Sequence, residues 1–328
     1  MPGFGSRLSI LRGVLGCVLL VAASASQADA QTYPTRPVTI IIPFGAGSAT
    51  DTAARRIASN LQAGLGQSFV VENRTGANGL LAATAVARAP GDGYTLLITT
   101  NSTHSAAPAL YKNISYDPIK DFTPIARLGV VRSFLAVNPD LPIRTPQELV
   151  AYAKANPGKL SYGSGNTTGQ VSGESLKRRT GIDMTRVAYR TNPPALTDLI
   201  AGHIGAMFPD FTTGIPQVRA QTIRPIAQLT KDKSPQLPGV PTLDETLMPG
   251  FAIVAWVGMF APANAPPEVV RALVRELEKM TAQADIREQF ATNGMEVQWG
   301  GSELFTDYVK TELTKWTTLI KEVGIEPE

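Results

Sequence analysis

Three short polar loops of this 328-residue chain have the residue types that bind small anions. PFGAGSATD (43–51), TTNSTHSA (99–106) and YGSGNTTGQ (162–170) each gather Gly, Ser, Thr or Asn just before a predicted helix. The first backbone N–H groups of a helix have no partner inside it, and the helix dipole makes that end positive. Anions bind readily at such ends. The loops therefore predict an anion site built from helix starts.

The first loop, PFGAGSATD (43–51), is the most informative because glycine, hydroxyl and carboxylate groups meet at one helix start. Gly45 and Gly47 allow unusual backbone angles and let a ligand approach closely. Ser48 and Asp51 lie where the helix begins. A tight turn in which Asp51 only caps the helix accounts for the same residues, so that structural interpretation stays open.

A dinucleotide site is the alternative chemistry for this loop. No Lys follows the glycines, so the loop is not a P-loop. The G-x-G-x-x-G pattern is incomplete because Thr50 replaces its third glycine, but Glu72 ends the next strand about where a ribose-binding acid would lie. An exported dinucleotide-dependent oxidoreductase therefore remains an alternative, although the N-terminus has no twin-arginine signal.

Catalytic and metal-binding patterns are weak elsewhere in the chain. It has two His, one Cys and no G-x-S-x-G motif. His104 is a candidate ligand contact because it lies in a polar loop, whereas His203 is expected to pack or to hydrogen-bond at a helix end. No His, Asp and Glu spacing matches a metal site. We therefore expect a protein that is not an enzyme and that carries no metal and no cofactor.

The composition excludes several other classes of protein. Hydrophobic residues make up 43% of the chain, which is too many for a disordered protein. A formal net charge of +3 over 328 residues gives no basic footprint for nucleic acid. We expect no nucleic-acid partner.

The first thirty residues have the form of a cleaved signal peptide. Arg7 and Arg12 precede a short apolar run, and Ala28 and Ala30 form an A-x-A cleavage pattern. The run is too short for a membrane-spanning helix, which needs about 20 apolar residues. Acylation of Cys17 as a lipoprotein is the weaker alternative. We expect a mature protein that begins at Gln31, lies in the periplasm and contains no cysteine.

Strand and helix patterns alternate along the mature chain, which is typical of an α/β fold. VTIII (38–42) is a continuous apolar run of the kind found in buried parallel strands. The helical pattern of 50–65 places Ala53, Ile57 and Leu61 on one face. Further strands are expected at 69–73, 94–100, 135–139, 160–164, 186–190, 205–208, 223–229 and 251–262. Further helices are expected at 80–89, 145–156, 267–283 and 302–323.

The last part of the chain has too few strands to form a parallel sheet of its own. The economical arrangement returns it to the first lobe, so that lobe 1 comprises 31–130 and 250–328 and lobe 2 comprises 131–249. The two lobes are then joined by two crossing strands, and ligands of such folds bind in the cleft at the carboxyl ends of strands.

Eight blocks in series resemble the Bug family, the periplasmic solute receptors of tripartite tricarboxylate transporters. They run from Tyr33 almost to the C-terminus and comprise YPTRPVTIIIPFGAGSATD (33–51), VVENRTGANG (70–79), DGYTLL (92–97), YDPIKDFTPIA (116–126), LSYGSGNTTG (160–169), YRTNPPALTDLIAG (189–202), LPGVPTLDE (237–245) and FAPANAPPEVV (260–270). The resemblance implies a two-lobed periplasmic binding protein of the second type that closes over a small carboxylate.

The resemblance also implies which residues hold the ligand. The family's first loop binds the carboxylate through main-chain N–H groups and waters, and Asp51 matches the acid that closes that loop. In amino-acid-binding relatives an Asp follows Met-Phe directly. Here Pro209 intervenes and Asp210 comes one place later, which favours a carboxylate without an amino group. The predicted ligand-binding residues are Gly47, Ser48, Ala49, Asp51, Asn101, Ser164, Asn166, Thr167, Thr168 and Asp210.

The function implied is that of a monomeric receptor that delivers a small organic acid to integral membrane permease subunits. A dicarboxylate, a tricarboxylate and an aromatic acid all suit an anion clamp. A receptor that reports to a sensor kinase needs the same cleft, so this alternative also stays open.

Overall fold

The computed structural model describes residues 33–328, so the predicted signal peptide and Cys17 lie outside the described residues. No helix in the described range is both long enough and apolar enough to cross a membrane.

Strands and helices alternate through the described chain. The strands are β1 (Val38–Ile42), β2 (Phe69–Asn73), β3 (Thr95–Thr100), β4 (Phe122–Val131), β5 (Phe134–Val137), β6 (Ser161–Ser164), β7 (Thr185–Ala188), β8 (Ala206–Met207), β9 (Arg224–Gln228), β10 (Ala255–Pro262) and β11 (Met295–Gly301). The α-helices are α1 (Ala49–Leu65), α2 (Leu80–Ala87), α3 (Ala107–Leu110), α4 (Pro146–Ala155), α5 (Thr167–Thr180), α6 (Asn192–Ile200), α7 (Phe211–Arg219), α8 (Leu243–Thr246), α9 (Pro267–Ala282), α10 (Ala284–Thr292) and α11 (Ser302–Glu322).

The strands form two sheets, one for each lobe. The first has the order β11-β4-β10-β3-β1-β2 and the second has the order β7-β6-β8-β5-β9. In the first sheet β1 pairs in parallel with β2 and β3, whereas β10 runs antiparallel to β3 and β4. Each sheet is therefore mixed, and the expected parallel arrangement holds only for part of it. The structure confirms a two-lobed α/β fold.

Strand β10 lies in the middle of its sheet, as its apolar sequence predicts. The chain leaves the first sheet after β4 and returns as β10, between β3 and β4. Seven of its eight residues are buried. The C-terminal part of the chain adds β10 and β11 to the first sheet and forms no separate sheet.

Strands β4 and β11 and helix α10 are absent from the sequence-based prediction. In β4, Pro124 pairs with Phe260 next to a register shift between Met259 and Phe260. Proline cannot donate to a strand ladder, so it weakens the strand pattern and is accommodated at an irregularity. In β11 the ladder also shifts, between Val297 and Gly300. Both strands depend on their partners, which a local pattern does not show.

Helix α1 illustrates how the sequence positions the loop at 43–51. Its apolar face is buried as predicted: Ile57 and Leu61 are 0% and 1% exposed. Complete burial of side chains this size stabilises a fold by about 1.5–3 kcal/mol each. Gly66 ends the helix in the left-handed conformation, with φ 72°. Because this face is fixed on the sheet, the N-terminus of α1 is held at the carboxyl end of β1.

Helix α11 joins the apolar cores of both lobes. Phe305 near its start packs in the first lobe, where its ring lies 5.5 Å from that of Trp256. Trp316, further along the helix, belongs to the apolar cluster that contains Leu135 and Tyr162 of the second sheet. The helix therefore contacts the second lobe as well as the first.

Candidate functional site

A narrow cleft lies between the two lobes, and helix-capping residues from both lobes line it. An N-cap residue is the one directly before the first helical turn, where backbone N–H groups lack partners. The cap residues that line the cleft are Ser48, Asn101, Asn166, Thr191 and Asp210.

The loop between β1 and α1 presents backbone donors to the cleft. Ser48 caps α1, and its Oγ accepts a hydrogen bond of 3.2 Å from the Asp51 N–H. The N–H groups of Gly47 and Ser48 are used inside the loop, on the Asp51 carboxylate and the Gly45 carbonyl. Ala49 and Thr50 line the cleft, and their N–H groups have no acceptor in the described part of the chain. The free donors are therefore Ala49 and Thr50, two positions further along than Gly47 and Ser48.

Asp51 does not line the cleft, and its carboxylate fixes the conformation of the first loop through hydrogen bonds. Its carboxylate accepts from the Gly47 N–H at 3.0 Å and from Asn73 Nδ2 at 2.9 Å, and it pairs with Arg55 at 2.9 Å. Burial raises the pKa of Asp51, but hydrogen bonds from Arg55, Asn73 and Gly47 outweigh it and leave the pKa below its ordinary value. Asp51 is therefore ionised at neutral pH and fixes Gly47 at φ 77°.

The loop after β3 brings Asn101 into the cleft. Asn101 is fully buried and precedes a π-helical turn, Ser102–Ala106, that runs into α3. Its Nδ2 donates to Thr168 Oγ1 of the second lobe at 3.3 Å. Its Oδ1 has no hydrogen-bond partner among the described residues. Asn101 thus lies in the cleft lining and also joins the two lobes.

The loop between β6 and α5 supplies the second-lobe counterpart of the first loop. Asn166 caps α5 and accepts from the Gly169 N–H at 2.9 Å. Asn166 and Thr168 line the cleft. Ser164 and Thr167 are not among the lining residues, and the Ser164 hydroxyl accepts from Arg186 Nε at 2.8 Å.

A further loop, between β7 and α6, lines the cleft and was absent from the sequence-based prediction. Thr191 and Asn192 belong to it, and Ser133 joins them from the connection between β4 and β5. A Cβ atom on Gly165 would lie 2.2 Å from the Thr191 carbonyl carbon, so this loop packs directly on the β6–α5 loop. The sequence contains a pattern that could have predicted this loop, because YRTNPP also follows a strand and opens a helix.

Asp210 lines the cleft despite the extra Pro209. It caps α7, with Oδ1 accepting from the Thr213 N–H at 2.9 Å and Oδ2 accepting from Asn192 Nδ2 at 2.6 Å. The Thr213 hydroxyl adds a third donor at 3.0 Å. The negative charge of Asp210 is therefore stabilised by donors of its own lobe.

The positive potential of the cleft comes from backbone groups at the helix starts. Among the lining residues that the structure describes, Asp210 is the one with a charged side chain, and no Lys, Arg or His takes part. The positive ends of α1 and α5 face the cleft from opposite lobes. Prolines follow Asn192, so α6 begins with few N–H groups. Such an arrangement can bind an anion without a cationic side chain.

His104 lies behind this surface. It is fully buried, stacks on Phe260 with ring centroids 4.0 Å apart and does not line the cleft. Desolvation lowers its pKa to about 3, so the ring is neutral at physiological pH. The hypothesis that His104 contacts a ligand therefore has no support from its position. In the described residues no group of three or more His, Cys, Asp or Glu is placed to bind a metal.

The two sheets, the crossing strands and the cleft between helix starts define a periplasmic binding protein. The family model for the tripartite tricarboxylate transporter family receptor matches residues 53–325. This chain belongs to that family, as the eight sequence blocks suggested.

Bacterial relatives support the same assignment. The chain is 31% identical to Protein BugT of Bordetella pertussis, over 96% of this chain and 97% of BugT. Rpa4515 of R. palustris, solved with adipate, is 34% identical with a TM-score of 0.88, over 90% of this chain and 100% of that one. MatC of Rhodopseudomonas palustris, solved with bound malate, is 31% identical with a TM-score of 0.83, over 88% of this chain and 100% of that one.

Proposed function

We propose that this protein binds a small organic carboxylate in the interlobe cleft and delivers it to the membrane permease of a tripartite tricarboxylate transporter. The single observation that carries the proposal is the convergence of the α1 and α5 starts on a cleft whose described lining residues include no Lys, Arg or His. The free N–H groups of Ala49 and Thr50 hold the carboxylate from lobe 1, and the first turn of α5 holds it from lobe 2. The relatives solved with adipate and malate support this chemistry.

In the proposed site, backbone N–H groups bind the ligand, and side chains hold the helix starts and loops in position. Ser48, Asn166 and Asp210 cap their helices, and Asp51 and Ser164 support the loops from behind. Charge-assisted hydrogen bonds contribute about 1.5–3 kcal/mol each before other costs. Because micromolar affinity corresponds to about 8 kcal/mol, three or four such bonds suffice.

The protein is exported by a signal peptide cleaved after residue 30, acts in the periplasm as a monomer and releases its ligand unchanged. We place the division between the lobes near residues 131 and 249, within the two segments that connect one sheet to the other. Closure of the lobes over the ligand is the signal that a permease recognises.

A binding screen tests the proposal. The protein beginning at Gln31 is heated with adipate, malate, citrate or benzoate, and with adipamide as the matched neutral control. A carboxylate at 100 times its dissociation constant should stabilise the fold by about 2.7 kcal/mol, and adipamide should not. Stabilisation by neutral ligands alone would contradict the carboxylate proposal. Saturable NAD binding with hydride transfer would favour the oxidoreductase instead.

A genetic experiment separates uptake from signalling. Deletion of the permease should abolish uptake of the identified acid while the receptor still binds it. The sensor-kinase alternative predicts a different result. Uptake of the acid would then not depend on the receptor, and a transcriptional response to the acid would survive deletion of the permease.

A further inference from the structure

Two of the five cap residues in the cleft do not cap their helices. Ser48, Asn166 and Asp210 each accept a hydrogen bond from a backbone N–H of the first turn. The side chains of Asn101 and Thr191 make no such bond. They come from opposite lobes, so each side of the cleft has one cap side chain that makes no hydrogen bond to its own helix start.

The oxygens of these two side chains are buried without a partner. Asn101 is 0% exposed, and its Oδ1 accepts no hydrogen bond within the described chain. Thr191 is 9% exposed, and its Oγ1 is likewise unpaired there. A buried polar atom left without a partner lowers the stability of a fold, and such atoms in native proteins are commonly satisfied by a ligand or water.

The chemistry of these atoms restricts the ligand. An amide oxygen can only accept a hydrogen bond, whereas a threonine hydroxyl can donate or accept. A fully ionised carboxylate without other polar groups offers acceptors alone, so it cannot satisfy Asn101 Oδ1. The Asp210 carboxylate already accepts three hydrogen bonds, from Thr213 and Asn192. A positively charged ligand group would therefore stabilise it less. A neutral hydroxyl can donate to Asn101 and accept from Thr191.

We propose that the cleft selects hydroxycarboxylates, with the ligand hydroxyl recognised by Asn101 from lobe 1 and Thr191 from lobe 2. This inference rests on the proposed function, because it takes the carboxylate end of the ligand to lie at the helix starts. Thr191 lies close to the first lobe: a Cβ atom on Gly45 would be 3.1 Å from Thr191 Cγ2. Both side chains line the same cleft, so we expect one ligand group to reach both of them when the lobes are closed.

Calorimetry with matched ligand pairs tests the selection. Malate and succinate differ by one hydroxyl, as do 2-hydroxyglutarate and glutarate. We expect the hydroxylated member of at least one pair to bind about tenfold to a hundredfold more tightly, as one satisfied buried hydrogen bond would give. Aspartate, which carries an ammonium in place of the malate hydroxyl, should bind more weakly than malate.

Variants show whether the two residues cause the preference. Asn101→Leu and Thr191→Val remove the hydrogen-bonding atoms with little change of shape, and each should reduce the preference to about threefold or less. Thr167→Val is the matched control, because Thr167 Oγ1 is also buried and unpaired but Thr167 does not line the cleft.

The outcomes separate this inference from the proposed function. Equal affinities within every pair that binds, or a preference for the plain acid or for aspartate, would overturn the inference while carboxylate binding stands. A preference that survives Asn101→Leu and Thr191→Val would overturn the assignment of these residues. Failure of all carboxylates to bind would overturn the proposed function and the inference together.

Discussion

Asn101 Nδ2 donates a hydrogen bond of 3.3 Å to Thr168 Oγ1, and this bond joins the end of β3 in one lobe to the first turn of α5 in the other. Both residues are buried in the cleft lining. The structure is therefore that of a closed or nearly closed protein in which polar side chains of opposite lobes meet directly. A ligand that enters the cleft either replaces this hydrogen bond or binds beside it.

Loss of this bond should favour the open protein. In Thr168→Val the Asn101 amide loses its acceptor, and a single hydrogen bond contributes about 0.5–1.5 kcal/mol. We expect the ligand-free variant to have a larger radius of gyration by small-angle X-ray scattering than the unsubstituted protein, and a saturating ligand to reduce that difference. An identical radius of gyration in both ligand-free proteins would show that the bond does not contribute to closure.

A proline at Ala49 should remove one ligand donor and leave the helix intact. Ala49 is the first residue of α1, where proline is well tolerated, and Ser48 before it has φ −71° and ψ 160°, which suits the residue before a proline. We expect Ala49→Pro to weaken carboxylate binding about tenfold or more by calorimetry, with little change in the unfolding midpoint.

Ala284→Pro is the matched control for that substitution. Ala284 is the exposed first residue of α10, and Gln283 before it has φ −72° and ψ 128°. Because Ala284 lies away from the cleft, the same substitution there should leave the affinity for the carboxylate unchanged. Equal affinities of Ala49→Pro and Ala284→Pro would exclude the Ala49 N–H from the site.

Alanine at Gly165 should displace two loops that line the cleft. Its Cβ would lie 2.2 Å from the Thr191 carbonyl carbon and 2.4 Å from the Asn192 nitrogen, and backbone atoms cannot move aside cheaply. Overpacking of this kind costs about 1–3 kcal/mol. We expect Gly165→Ala to lower the free energy of urea unfolding by that amount and to weaken ligand binding.

Gly169→Ala controls for the loss of a glycine nearby. A Cβ at Gly169 meets no atom closer than 3.5 Å, and alanine is favoured over glycine inside a helix by about 1 kcal/mol. That variant should fold at least as stably as the unsubstituted protein. If both alanine variants behave alike, the close packing of the two loops is not what positions the cleft.

His104 should make the fold less stable as the pH falls. Burial lowers its pKa from 6.5 to about 3, so below pH 6.5 the unfolded chain binds a proton that the folded protein does not. Stability is therefore lost progressively from pH 6.5 towards pH 3, and His104 has no such effect above pH 6.5. Near pH 5 the expected cost is about 2 kcal/mol.

The shape-matched variant His104→Phe isolates this effect. Its stack on Phe260 can be kept, but the titrating group is gone. The stability lost between about pH 7.5 and pH 5, measured by urea unfolding, should be about 2 kcal/mol smaller in His104→Phe than in the unsubstituted protein. Equal pH dependence in the two proteins would show that His104 does not contribute.

Local patterns were sufficient to predict much of the fold. The apolar run of β1 and the spacing of Ile57 and Leu61 in α1 predict elements that the structure contains at nearly the same residues. Strand β4 is different, because Pro124 interrupts its pattern and the antiparallel partner β10 comes more than 100 residues later. A strand of that kind is stabilised by long-range pairing, which no local window contains.

The sequence by itself determined the loops at which an anion would bind, because helix starts after strands are marked by capping residues such as Ser48 and Asn166. Only the tertiary structure decided which groups in those loops are free. Gly47 and Ser164 are engaged inside their own lobe, whereas Ala49, Asn101 and Thr191 remain available to the cleft. The physical reason is that a hydrogen-bonding group can be assigned to a ligand only once every competing partner has a position, and those positions arise from the packing of distant segments.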